Sequence, residues 1–351
     1  MPINKRYTFT LSSPNKFMIV ITGGAGMIGS IIAWHLNTKS GNTKLGRDDM
    51  VIVDRITHAE QWQNLVKRQY VQYLDKEQLL PWLEGRTDVS AIIHMGAISA
   101  TTERDFNKLV ADNIHYSQQL WTWCANNKAS FFYASSAATY GDGAHGYDDA
   151  SIEHLRPLNG YGYSKHFFDQ WALRQVSEDL PTPPAWAGFK FFNVYGPNEY
   201  HKERMASVAL HSFNQFKSNG TVKLFKSHKQ GYDDGMQLRD FVYVKDAAAA
   251  VVYFLDAALN SKPCANGIYN IGTGKARAFK DLATAVMTSM GETPHTTYID
   301  MPEDLQGKYQ YFTEANIAKL RAAGYEQAFY SLEDGVQDYV QNYLMHDDAY
   351  C

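Results

Sequence analysis

Residues 18–29 restrict the fold of this chain more than any other stretch. They read Met-Ile-Val-Ile-Thr-Gly-Gly-Ala-Gly-Met-Ile-Gly, an apolar run of strand length that meets a glycine-rich turn and then an apolar helical segment. Gly23, Gly26 and Gly29 are the spaced glycines. In such a turn the first glycine allows the tight bend, the second lets backbone approach a pyrophosphate, and the third lets helix and strand pack closely. The free N–H groups and positive dipole at the helix start suit phosphates.

The rest of the chain keeps this alternation. Segments 50–54, 91–94, 130–134 and 188–192 read as further buried strands, and 28–36, 112–126 and 163–176 as crossover helices. Strands alternating with helices predict an α/β fold, a doubly wound parallel sheet. After Asn193 the pattern changes: 197–235 is loop-rich, aromatic and charged, with a helical stretch near 205–217. The run 239–244, followed by an Ala-rich helix, reads as a return to the sheet domain. The remainder from Lys275 reads as a mixed lobe ending in a helix near 332–344. The expected organisation is a polar tail over 1–17, a sheet domain from 18–193 plus about 240–272, and a smaller mixed α/β lobe from about 194–239 plus 273–346. Met18 sits where the first strand begins, and an internal translation start there is an expectation.

A formal net charge of −4 argues against a nucleic-acid partner, which calls for a basic excess. Anionic ligands must therefore be met by local cations and helix ends. The longest apolar stretch, 247–255, is bounded by Asp246 and Asp256 and is too short to span a bilayer. Cys124, Cys264 and Cys351 are odd in number, widely separated and without metal-type spacing. No metal site or disulfide framework is expected, and a reducing cytoplasm is.

Asp54 ends the second strand, where a carboxylate can accept from the adenosine ribose hydroxyls of a dinucleotide. Arg55 follows, and a guanidinium there can hold a 2′-phosphate or stack on adenine. The residues lean to NADP and leave NAD open. Downstream, Tyr161 and Lys165 are four apart, one face of a helix. An ammonium beside a phenol is expected to lower the phenol's pKa and ready it for proton exchange with an alcohol. The 135–141 string Ser-Ser-Ala-Ala-Thr-Tyr-Gly follows the strand before it and can bind the same oxygen.

In this order, the three motifs resemble the extended short-chain dehydrogenase/reductase superfamily, whose fold is a Rossmann domain with a smaller substrate-binding lobe. The strings 133–141, 192–197, 205–208, 239–244 and 320–325, with His201-Lys202 and Gly307-Lys308-Tyr309-Gln310, resemble the ADP-glyceromanno-heptose 6-epimerase family. The likeness runs from about Met18 to Tyr343. It implies an isomerase that inverts C6 of an ADP-heptose for lipopolysaccharide core assembly, with bound NADP, as a homo-oligomer, a pentamer in that family.

The resemblance also implies roles. Tyr161, Lys165 and Ser136 form the catalytic triad, and Lys202 is the second acid/base group. Gly23, Gly26, Met27, Ile28, Gly29, Asp54, Arg55, Lys76, Met95, Gly96, Ala97, Ser99, Asn113, Lys165 and Val194 bind cofactor. Ser136, Asn193, Arg204, His211, Phe225, Ser227, Arg239 and Tyr309 bind substrate. Three positions depart from the family pattern: Glu203 stands where glycine usually follows the His-Lys pair, Gln61 replaces a lysine that helps hold NADP, and Met95 replaces an acidic residue. A 4,6-dehydratase would need acids after Ser136, where Ala137 and Ala138 stand. A 4-epimerase, or a protein of this fold that only binds dinucleotide, stays open.

Overall fold

The computed structural model describes residues 18–38, 47–263, 265–302 and 310–351. Its strands, in chain order, are β1 (Met18–Thr22), β2 (Met50–Asp54), β3 (Gln72–Asp75), β4 (Val89–His94), β5 (Ser130–Ser136), β6 (Trp186–Phe191), β7 (Asn193–Tyr195), β8 (Val222–Phe225), β9 (Leu238–Tyr243), β10 (Gly267–Ile271), β11 (Ala276–Ala278) and β12 (Thr296–Ile299). Seven of them form one parallel sheet in the order β10-β6-β5-β4-β1-β2-β3. The chain runs outward from β1 to β3, then restarts on the other side of β1 with β4. That reversal opens a crevice at the carboxyl ends of β1 and β4, where ligands of such sheets bind.

Both faces of the sheet are covered, which is why its strands are continuously apolar. Alternate side chains point to opposite faces. Ile19, Ile21 and Phe132 join the helices Met27–Asn37 and Val244–Leu259 in one core, through Ile31, Ile32, Ala247, Val251 and Leu255. Val20, Phe131 and Tyr133 join Leu120, Trp121, Phe168 and Ala172 of the opposite helices in the other. Cys124 is a free thiol in that second core.

Two readings change here. The strand at 239–244 does not return to the main sheet: β9 lies between β7 and β11 in a separate three-stranded sheet. The chain re-enters the main layer with the helix Val244–Leu259 and with β10, which pairs with β6. β3 and β10 escaped the sequence reading. β3 is short and mostly solvent-facing, so it lacks the buried apolar run. β10 is fully buried, but its Tyr269 and Asn270 break the aliphatic pattern. β8 and β12 form a third, two-stranded sheet, packed on the helices Val208–Asn219 and Phe279–Ser289. The tail 1–17, and with it the reading of Met18 as a start, lies outside the described residues. Among the described residues no helix is long and apolar enough to cross a membrane, and no cluster could hold a metal ion.

Candidate active site

The glycine turn sits in the crevice. Gly23 has φ +64°, and a Cβ there would lie 2.5 Å from the Gly96 nitrogen. A Cβ on Gly29 would lie 2.2 Å from the Gly23 carbonyl, so the helix reaches the turn only without one. Gly26 donates its N–H to the Gly23 carbonyl at 3.0 Å and starts the helix Met27–Asn37 with no side-chain cap and no acid in the first turn. An uncapped helix start over a bare backbone cradle fits a pyrophosphate. Met27 and Ile28 form its first turn.

Buried hydrogen bonds fix the floor of the crevice. Ser117 donates to the Asn113 carbonyl at 2.8 Å, so its oxygen accepts from His94 Nε2, 2.9 Å away. His94 Nδ1 then accepts from the Thr22 hydroxyl at 2.6 Å, and that oxygen accepts from the Gly96 N–H at 3.2 Å. Burial holds His94 neutral, its pKa down to about 3. This chain of bonds joins β1 to β4 and positions Met95, Gly96 and Ala97 at the turn. The Asn113 side chain pairs with both polar groups of Ile98 and donates to Ser164. It braces the 95–99 segment and the catalytic helix, with Ser99 exposed beyond it.

At the adenosine end the Asp54 carboxylate accepts from Ala25 N and Arg55 N, both at 2.8 Å. Both oxygens already hold backbone, which makes Asp54 an anchor of the glycine turn as well as the ribose acceptor expected of it. Burial raises its pKa, against those hydrogen bonds. Arg55 is paired with Glu77 at 2.6 Å and with Asp112 at 3.5 Å, and Lys76 is paired with Asp112.

Tyr161 and Lys165 lie on the helix Gly160–Ser177, which Asn159 starts by accepting from Gly162 N at 2.8 Å. Ser136 ends β5 and caps the next turn at Ala138 N. The lowered phenol expected from sequence is not what the structure gives: burial pushes the Tyr161 pKa up, the nearby Ser136 side chain pulls against it, and Asp169 adds to the rise. Burial instead lowers Lys165 to about 8. Its side chain is 4% exposed, and no hydrogen bond from its ammonium is found among the described residues. A buried ammonium of this kind fits a ribose diol. Behind the pair, Lys190 of β6 and Asp169 of the helix Gly160–Ser177 form an ion pair with no exposure. Asp169 also accepts from Tyr133 at 3.0 Å and Ser135 at 2.7 Å, and Lys190 donates to Thr139 at 2.7 Å.

Lys202 lies 3.7 Å from the Met27 sulfur, which brings its loop onto the glycine turn. Burial lowers its pKa, while Glu199 works to raise it. Glu199 is fully buried and accepts from Ser207 N and Oγ, both at 2.6 Å. The loop is also held by Asn64, which donates to the carbonyls of Ala25 and Asn198, and by residues 349–351: Cys351 N donates to the Asn198 side chain and Tyr200 OH to the Ala349 carbonyl. Glu203 takes φ +47° and ψ −120°, a glycine-type conformation, at the position where the resembling family carries glycine.

The residues expected to bind substrate lie on several elements. Asn193 and Val194 open β7 directly after β6, Asn193 exposed and Val194 partly so. Arg239 on β9 is 6% exposed, lies over the Phe279 ring and donates to the Leu238 carbonyl. The neighbouring Asp240 accepts from the backbone N–H groups of Thr273, Gly274 and Ala315. Phe225 ends β8, Ser227 closes a turn with Asp234, His211 is partly buried and Arg204 is exposed. Tyr309 lies outside the described residues. Sequence reading missed Thr22, Asn64, Asp169, Lys190 and Glu199. Lys190, a lone charge in a strand-like run, and Asp169, four after Lys165, were visible signals.

A model of the NAD dependent epimerase/dehydratase family matches residues 19–272. The chain belongs to that family. Members of this epimerase/dehydratase family that it resembles include the ADP-L-glycero-D-manno-heptose-6-epimerase of Fusobacterium nucleatum, 51% identical over 346 residues, 95% of this chain and 100% of that one. The protein of the same name from Nitratidesulfovibrio vulgaris is 47% identical over 343 residues, again 95% of this chain and 100% of the relative. Among solved structures, the Helicobacter pylori ADP-L-glycero-D-manno-heptose-6-epimerase superposes with a TM-score of 0.74 at 26% identity, covering 93% of this chain and 96% of that one. A UDP-N-acetylglucosamine 4-epimerase from Methanobrevibacter ruminantium shares the fold, with a TM-score of 0.74 at 21% identity over 93% of this chain and 98% of that one.

Proposed function

We infer that this chain is an isomerase that inverts C6 of ADP-D-glycero-D-manno-heptose to give the L-glycero epimer. The observation that carries the reading is the 51% identity across the whole length of a relative of that name. It is supported by Ser136 near Tyr161, which shares a helix with Lys165, and by the Lys202 loop at the glycine turn. A nicotinamide dinucleotide held by the glycine turn, Asp54 and Lys165 would supply the hydride chemistry at C6. The residues manage the proton that travels with each hydride. Ser136 and Tyr161 hold the C6 oxygen, and Tyr161 exchanges its proton for one epimer. Lys202, whose burial favours the neutral amine, does so for the other. Lys165 secures the ribose beside Tyr161, and Arg239 faces the ADP pyrophosphate.

NADP is the proposed form of the cofactor, on the strength of Arg55 and Lys76. A homo-oligomer, a pentamer as in the resembling family, and a cytoplasmic site are proposed with it. Two buried unpaired cysteines agree with a reducing compartment. The product would serve as heptose donor for lipopolysaccharide core. The decisive test is a chromatographic or NMR assay of C6 inversion with ADP-D-glycero-D-manno-heptose. Accumulation of the L-glycero epimer supports the reading. Turnover only of a sugar nucleotide inverted at C4 overturns it.

A further inference from the structure

Register places the ends of β2 and β3 side by side, with Asp54 opposite Asp75. Arg55, Lys76 and Glu77 follow directly from those ends, and Asp112 reaches them from the facing helical segment. The two cations are already matched: Arg55 holds Glu77 at 2.6 Å and Asp112 at 3.5 Å, and Lys76 holds Asp112 while lying 4.6 Å from the centre of the Tyr116 ring. Two positive groups face Glu77 and Asp112, with Asp54 and Asp75 beside them at the strand ends, so both cations are matched before any ligand arrives. A phosphate monoester brings about −1.5 to −2 charges to such a place.

The two carboxylates are not equivalent. The Asp112 side chain is 19% exposed, fixed between Lys76 and Arg55. The Glu77 side chain is 71% exposed and can turn into water at little cost. Arg55, 47% exposed, is thus the cation that a ligand can take over, and Glu77 is what it must be taken from.

We propose that Glu77 determines how strongly this chain distinguishes NADP from NAD, because its carboxylate occupies the face of Arg55 that a 2′-phosphate requires. The inference rests on the reading of Arg55 as part of the adenosine end. NAD carries a hydroxyl at that position and leaves the Arg55–Glu77 pair intact. NADP displaces Glu77, and its affinity is reduced by the strength of the pair. Exposed pairs of this kind correspond to about a two- to fivefold effect on an equilibrium.

The test is equilibrium binding of NADP and NAD to the full chain, by calorimetry, for wild type, Glu77→Gln, Arg55→Ala and the double variant. Glu77→Gln is expected to tighten NADP about two- to fivefold and leave NAD unchanged, and the gain should vanish in the Arg55→Ala background. Adenosine 2′,5′-bisphosphate set against ADP should repeat the contrast without the nicotinamide half. An unchanged NADP-to-NAD ratio in Glu77→Gln, with Arg55→Ala weakening NADP, overturns the role of Glu77 alone. If Arg55→Ala alters neither affinity, the adenosine-end reading of Arg55 fails and takes the proposal with it.

Discussion

Tyr161 and Lys202, the proposed proton carriers, sit in environments that disfavour charge. Burial raises the phenol and lowers the amine, so in each case the surroundings favour the neutral form. Tyr161→Phe and Lys202→Met each remove one proton carrier with little change in bulk. General acid–base catalysis contributes about 10²–10⁴-fold, so each variant should lose at least two orders of magnitude in C6 inversion while still binding dinucleotide. Near-normal inversion by Lys202→Met would leave Tyr161 as the sole base. Glu203 is held in a conformation that costs a residue with a side chain about 1–3 kcal/mol. Glu203→Gly should raise the unfolding midpoint, as thermal melts would show; the gain is reduced by the extra freedom glycine has when unfolded. His94 sets a pH dependence. Its folded pKa, about 3, lies below the usual 6.5, so between these values the unfolded chain binds the extra proton. The stability is present above pH 6.5 and is lost as pH falls toward 3. Urea midpoints measured from pH 7 to 4 should fall, and fall less in a His94→Gln variant.

Among the elements, the catalytic helix depends on one internal tie. The Asp169–Lys190 pair binds the helix Gly160–Ser177 to β6, and through Ser135 and Thr139 to the end of β5 that presents Ser136. Lys190→Met would leave a carboxylate buried without its counterion, at a cost of about 3–5 kcal/mol. Chemical denaturation should register that loss, and a midpoint unchanged from wild type would refute it. The sequence announced the strand, the helix and the Tyr161–Lys165 face, since these follow from apolar period and glycine spacing. It did not announce the tie, because pairing between 169 and 190 is set by the packing of helix on sheet. β9 shows the same limit. Its Arg-Asp-Phe-Val-Tyr-Val string is strand-like wherever it lies, and only its partners β7 and β11 place it outside the main layer. The Lys202 loop was recognisable only through the family resemblance. What holds it comes from Glu199 beside it and from two distant parts of the chain, Asn64 and residues 349–351.

For the whole molecule, the main sheet is closed by chain that arrives late. The helix Met27–Asn37 buries Ile31, Ile32 and Leu36 in the core that includes the helix Val244–Leu259, and β6 waits for β10. A fragment ending at residue 240 would contain the glycine turn, Tyr161, Lys165 and Lys202, yet it should be insoluble or bind hydrophobic dyes. A soluble, cooperatively melting 1–240 fragment would contradict this. The same closure has a meaning in time. At roughly 5–20 residues per second of synthesis, more than 200 residues separate the first helix from its partner, which is about ten seconds or more. Through that interval the nascent chain presents an uncovered aliphatic stripe beside a half-built sheet. Its early handling therefore belongs to the ribosome surface and to chaperones, and codon choice between 38 and 244 becomes a determinant of yield that no property of the finished fold would reveal.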